Sequence, residues 1–199
     1  NDFQQVMPEI ETYTFIGNTH MIEEKILKSE LDIALVEGEI HHQDLIILPS
    51  IRDFLVLGCA AQHPFAERKE VCVKELEHQK FVMREPGSGT RALFDKFIKR
   101  HNLTISISWE ATCPDAFRNA ILYNQCLAVV SVRLLERDIR SHQIRIFNPQ
   151  SNELERSFSL VYHKDKVFTP AMSTIRNIIA HYRQPDWLNN IPVGVLTEQ

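Results

Sequence analysis

What most constrains the fold of this chain is that its apolar residues keep changing period. Short runs of strand length alternate with stretches in which apolar positions recur every three or four residues. That alternation calls for an α/β fold, built from βα units around mostly parallel sheets. Residues 31–36 (LDIALV) and 127–132 (LAVVSV) are nearly continuous apolar runs, the pattern of strands covered by helices on both faces. Further strands are expected at 10–16, 45–48, 54–60, 80–84, 105–110, 143–147 and 157–163, with a turn at Pro49-Ser50 separating the second from the third. Helices are expected to alternate with them. One opens at Asn18 or Thr19 and buries Met21, Ile22, Ile26 and Leu27; one covers 73–79; one runs from Arg91 with Leu93, Phe94, Phe97 and Ile98 on a single face. Others start at Pro114, at Arg133, and at Pro170 behind a Thr169 cap, the last with Met172, Ile175, Ile179 and Tyr182 as its stripe.

No segment rich in Pro, Gly or Ser interrupts the 199 residues, so two lobes would have to be joined by strands that cross between them. The runs 80–84 and 160–163 are the expected crossings. They divide the chain into a discontinuous first lobe, 1–80 plus 164–199, and a second lobe, 81–163.

Charge and composition narrow the function. With 22 basic and 26 acidic side chains the formal charge is −4, so no overall positive field draws in nucleic acid. Arg133, Arg137, Arg140 and Arg145 read as a solvated helix face and loop, because no aromatic side chains are interleaved for base stacking. The four cysteines are irregularly spaced, some inside apolar runs, which fits a reduced, cytoplasmic compartment. No run approaches the ~18 apolar residues of a membrane span, and export would require a signal removed before residue 1. His20, His41, His42 and His63 have no Cys-x-x-Cys or His-x-x-x-His partner, so they are expected at the surface with no metal or other cofactor. No nucleophile signature is present, although a serine or cysteine meeting a histidine in space stays open.

The sharpest chemical signal is Arg84-Glu85-Pro86-Gly87-Ser88-Gly89-Thr90-Arg91, between a strand and a helix. Gly87 and Gly89 let the main chain approach a ligand. Ser88 and Thr90 add hydroxyls, and the helix start supplies unpaired amides and a positive dipole end. Together they describe a socket for a small anion, with the amides facing a solvent-filled crevice. The same residues also serve as a tight turn and helix cap. The motif is neither a P-loop nor a nucleophile elbow. Thr112 and Cys113, ahead of Pro114, open a second helix and either face the same crevice or simply cap it. Glu37 and Gly38 close the strand at 31–36, the end of a parallel strand where ligands of open α/β sheets gather. Glu37 there either orients a ligand or stands in solvent.

The ordered set of motifs resembles the effector-binding domain of LysR-type transcriptional regulators. Phe3 to Pro8, Gly17-Asn18-Thr19, residues 31–38 (LDIALVEG), residues 54–57 with His63-Pro64, residues 84–91 and residues 160–162 with the last helix carry the likeness, over roughly residues 2–182. The resemblance implies a fold similar to type II periplasmic binding proteins, with two Rossmann-like lobes hinged by two crossing strands. It implies a small effector held between the lobes at the loop 87–90 with 112–114 nearby, and a homodimer or tetramer. DNA contact would come only through a helix-turn-helix domain preceding residue 1, and the sensing domain would not be an enzyme. A periplasmic-type solute receptor and an enzyme on the same fold are the alternative readings. Three features depart from the family. The sequence is expected to open at Asn1-Asp2-Phe3 inside the first helix, past the strand and loop with which family members usually begin; the glycine-rich turn is absent at 124–127, and the tail 184–199 has no counterpart, although Trp187 and Leu188 would suit packing on a lobe or partner.

Overall fold

The computed structural model describes residues 2–182 and 193–198. In chain order the elements are α1 (Asp2–Val6), α2 (Thr19–Leu27), β1 (Ala34–Val36), β2 (Leu45–Ala60), β3 (Glu70–Cys72), β4 (Lys80–Met83), α3 (Gly89–Arg100), β5 (Ser106–Glu110) and α4 (Pro114–Asn124). There follow β6 (Ala128–Ser131), α5 (Glu136–Arg140), β7 (Ile144–Pro149), β8 (Glu155–His163), α6 (Pro170–Ala180) and β9 (Gly194–Thr197), with short 3-10 turns at Val73–Leu76, Val132–Leu135 and Asn152–Leu154. The chain forms two compact units, Asn1–Arg52 with Ser157–Pro185, and Asp53–Arg156 with Asp186–Gln199.

In the first unit, α2 starts where Asn18 accepts a hydrogen bond from the Met21 amide at 3.0 Å, satisfying one of the unpaired amides of a helix start. Ile22 and Ile26 face a core of Val36, Ile40, Leu45 and Val161. Met21 points outward instead and is 44% exposed. β1 pairs antiparallel with β8, Leu35 opposite Leu160. The strand expected at 10–16 does not form: the segment is irregular, and Ile16 is 91% exposed. Its alternation is strand-like, but a strand needs a neighbour to complete its ladder, and none pairs with it among the described residues. A groove of about 840 Å³ runs between residues 10–15 and 31–35, floored in part by Met172, Ile175 and Ile179. Ile175 and Ile179 line this groove and are only partly buried, whereas Met172 is buried.

The crossings differ from the expected ones. The chain passes from the first unit to the second inside β2, after Arg52, and returns inside β8, after Arg156. Residues 54–60, expected in the first lobe, belong to the second unit, where Leu55, Leu57 and Cys59 share a core with Phe81, Phe94 and Phe147. The expected turn at Pro49-Ser50 is also absent, because β2 runs unbroken through it. Pro49 is exposed there, and proline is tolerated in a strand where no ladder amide is required of it.

The sheets of the second unit are mixed rather than mostly parallel. The latter half of β2 pairs antiparallel with both β6 and β7. β7, β9 and β3 follow in parallel, while β4 and β5 form a separate parallel pair. Phe81, Phe94 and Phe97 stack in series at 5.4 and 6.0 Å between ring centroids, which fixes α3 onto β4. A second cluster, including Phe117, Ile121, Val130 and Ile146, seats α4. α4 ends at Gln125 in the left-handed conformation, φ 53°, so a glutamine adopts the backbone angle that the family's missing glycine would accept without strain. Trp187 and Leu188 of the tail lie outside the described residues. Among those described, no helix is long and apolar enough to cross a membrane.

Candidate functional site

Three chain segments leave the same edge of the second unit. β4 and β5 are parallel, Met83 beside Glu110. Leu127 bridges to Phe81 in the same sense just before β6. The loop 85–88, the loop 112–113 and the end of β6 at Ser131 therefore emerge at the carboxyl ends of neighbouring parallel strands, where α/β proteins place their ligands.

The first of these loops is built by glycine and by arginine. Gly87 has φ 89°, a conformation that a side chain would strain. The Ser88 amide donates to the Glu85 carbonyl at 3.2 Å, closing the turn. Arg91 reaches back to donate to the Arg84 carbonyl at 3.0 Å and forward to Asp95 at 3.0 Å, tying the loop to the first turn of α3. Ser88 is the N-cap residue of α3, yet its side chain makes no capping bond. Its Oγ is buried without a hydrogen-bond partner, and the residue is 2% exposed. An orphaned buried hydroxyl costs about 1–3 kcal/mol, so it marks a place where an acceptor or donor is wanted. The expectation of a solvent-facing helix start needs correction, because Ser88, Gly89 and Thr90 are all buried. The aromatic packing of α3 on β4 draws the helix start in with it.

Sequence reasoning missed the charged part of this site. Arg156 Nη1 donates to Thr90 Oγ1 at 2.9 Å, and its Nε donates to Asp53 Oδ2 at 2.8 Å. The other Asp53 oxygen accepts from Ser131 Oγ at 2.9 Å and faces Arg133 Nε at 3.4 Å. The Arg156 and Asp53 side chains are 6% and 1% exposed, so the pair is shielded from water. Arg133 thus belongs to a buried ion pair and not to a solvated helix face, because the turn Val132–Leu135 directs it at Asp53. A charged residue inside the apolar run 53–60 was the available signal for Asp53. Nothing local connects it to an arginine a hundred residues away.

The remaining expected site residues are distributed differently. Thr112 and Cys113 are exposed; Cys113 is the α4 N-cap residue and makes no side-chain capping bond. Glu37 and Gly38 belong to the first unit. A Cβ on Gly38 would lie 2.7 Å from Thr19 Oγ1, and that hydroxyl is buried without a hydrogen-bond partner. The first unit thus pairs a helix start with a glycine that lets the chain pass close by. The structure gathers Ser88, Gly89 and Thr90 with Asp53, Ser131 and Arg156, and sets Thr112 and Cys113 at the next strand end. His63, expected at the surface, is 8% exposed, because its Nδ1 accepts from the Phe65 amide at 3.1 Å and its ring packs edge-on to Phe65. Among the described residues no three metal-ligating side chains cluster.

An α/β chain in two units, with hydroxyls and a helix start gathered at parallel strand ends, has the architecture common among small-ligand-binding domains. The family model of the LysR substrate binding domain matches residues 1–184, and the chain belongs to that family. It is 28% identical over 174 residues to the HTH-type transcriptional regulator CysL of Bacillus subtilis, covering 87% of this chain and 56% of CysL. It is 23% identical over 181 residues to the transcriptional activator CmpR of Synechocystis, 90% of this chain and 60% of that one. The chain therefore spans a little over half the length of these curated relatives. Among solved structures it resembles the regulatory domain of Synechocystis CcmR in complex with 2-PG, with a TM-score of 0.82, 23% identity and coverage of 89% and 86%. It also resembles the effector binding domain of QuiR in complex with shikimate, with a TM-score of 0.78, 18% identity and coverage of 90% and 86%. These share the two-lobed, type II periplasmic-binding-protein-like fold.

Proposed function

We propose that this chain is the sensing domain of a LysR-type transcription regulator and that it binds a small anionic effector at the start of α3. The observation that carries the reading is the uncapped helix start with the Ser88 hydroxyl buried beside it and lacking a partner. Amides and a dipole end favour negative charge, and a bound carboxylate or phosphate group would supply the missing acceptor. CcmR and QuiR are named in complex with 2-PG and shikimate, and both ligands carry anionic groups. Gly87, Gly89 and Thr90 shape and line the site; Thr112 and Cys113 flank it. Glu37 and Gly38, with Thr19, form a separate candidate ligand contact within the first unit. The domain acts by binding and not by catalysis, as the regulator names of its relatives suggest.

The curated relatives are helix-turn-helix regulators of greater length, so DNA contact is assigned to a part of the protein outside these residues. The working compartment is the cytoplasm, and the working form is a homo-oligomer. Sedimentation over micromolar concentrations should reveal a dimer or tetramer, and a strictly monomeric species would contradict that form.

Calorimetric titration with 2-phosphoglycolate and a panel of small carboxylates tests the site. Ser88→Ala and Thr90→Ala should each weaken binding by about 1–3 kcal/mol while the fold persists. Affinities equal to that of the unaltered chain would remove the assignment.

A further inference from the structure

We infer that the groove of the first unit is a docking slot for one extended segment of the same protein, the stretch immediately before Asn1, which lies there as a β-strand between residues 10–16 and β1. Both walls of the groove are strand-forming and incompletely paired. β1 ends the strand order of its sheet, bonded to β8 on one side only among the described residues. Residues 10–16 carry the alternation of a strand and pair with none of the described strands, and Ile10, Tyr13 and Ile16 are exposed. The amides and carbonyls along a strand edge are directional groups that another backbone completes. One extended segment laid between the walls serves both at once.

The walls also fix the direction and composition of the occupant. Residues 10–16 lead into α2, and α2 leads into β1, the order of a strand–helix–strand unit whose strands run parallel. A segment that passes into α1 and then into 10–16 repeats that order, so it lies parallel to both walls. Ile22 of α2 and Met172, Ile175 and Ile179 of α6 line the groove, so apolar side chains of two helices meet it. A strand covered by helices reads as a nearly continuous apolar run. The segment before Asn1 is therefore expected to hold about five or six consecutive apolar, largely β-branched residues.

Position and length favour this occupant over a free peptide or a second copy. Phe3 and Gln4 of α1 line the same groove, and α1 packs on α6, so the preceding chain arrives at the groove itself. Such tethering gives an effective concentration on the order of millimolar. The curated relatives have residues to supply it, since the matched region is 56% of CysL and 60% of CmpR.

Hydrogen exchange on the longer protein, with the residues preceding Asn1 included, decides the matter. The amides of residues 11–16 should exchange slowly at alternate positions, those facing the occupant, roughly tenfold or more below an unprotected amide. Tyr13 and Thr14 present their amides to opposite edges, so one of them is a slow position. Proline there, as Tyr13→Pro or Thr14→Pro, removes a ladder bond and should lower the melting temperature; at the neighbouring fast position it should have little effect. Unprotected exchange throughout 11–16 in the longer protein overturns the inference, as does alternate protection that neither proline disturbs. Exchange on residues 1–199 alone, measured across micromolar concentrations, tests the rival occupant. These amides should stay fast at every concentration, and protection that rises with concentration would assign the groove to a second copy.

Discussion

His63 illustrates how a single side chain reports its surroundings. Burial holds its pKa below the ordinary value, because an enclosed imidazolium loses the solvation that water would give its charge. The unfolded chain therefore binds a proton more readily than the folded one as pH falls below about 6.5. Stability is complete above that pH and declines below it, by at most about 1.4 kcal/mol per pH unit for this group. Melting temperatures measured from pH 7.5 down to about pH 5.5 should fall, and His63→Asn should flatten the decline, since an asparagine oxygen accepts in the same kind of turn without titrating. An equal decline in the variant would assign the pH dependence to other groups. Cys59 shows the same influence of burial, its thiol pushed up to about 12, which makes it a packing residue and not a nucleophile. At this scale the sequence conveyed residue type and neighbours along the chain. It could not show that one histidine in an apolar stretch would be enclosed.

At the scale of elements, local chemistry set the boundaries well where caps and turns determine them. Asn18 and Thr169 both accept amides at the helix starts they were expected to cap, and Pro114 occupies the first turn of α4. Strands were less legible, since a strand is completed by a neighbour that lies elsewhere in the sequence. Residues 10–16 have strand-forming side chains and remain irregular; residues 45–60 contain a turn signal and form one continuous strand. The approach of α2 to the end of β1 also rests on tertiary contact. Gly38→Ala would press a methyl group against Thr19, whose Oγ1 and Cγ2 would lie 2.7 and 2.9 Å away. It should destabilise the chain by about 1–3 kcal/mol in urea unfolding. Adding Thr19→Ala should restore a substantial part of that loss, and an additive double-mutant cycle would show that the two residues do not oppose each other.

For the molecule as a whole, Asp53 and Arg156 stand at the points where the chain enters and leaves the second unit, and they are bonded to each other. Removing only the carboxylate by Asp53→Ala leaves a guanidinium without its buried counter-charge, which should cost about 3–5 kcal/mol. Asp53→Asn/Arg156→Gln should be distinctly more stable than Asp53→Ala in the same denaturation experiment; equal losses would mean that the two charges do not interact strongly. The alternation of apolar periods, the cap residues and the glycine-rich loop were sufficient to determine the α/β class, most helix starts and the tight turn that opens α3, because each depends on side chains adjacent along the chain. The crossing points, the mixed sheet, the enclosure of Ser88 and the buried ion pair beside it were decided only by tertiary structure. Each depends on groups separated by tens to a hundred residues, whose encounter is governed by burial and pairing and leaves no trace in any local pattern.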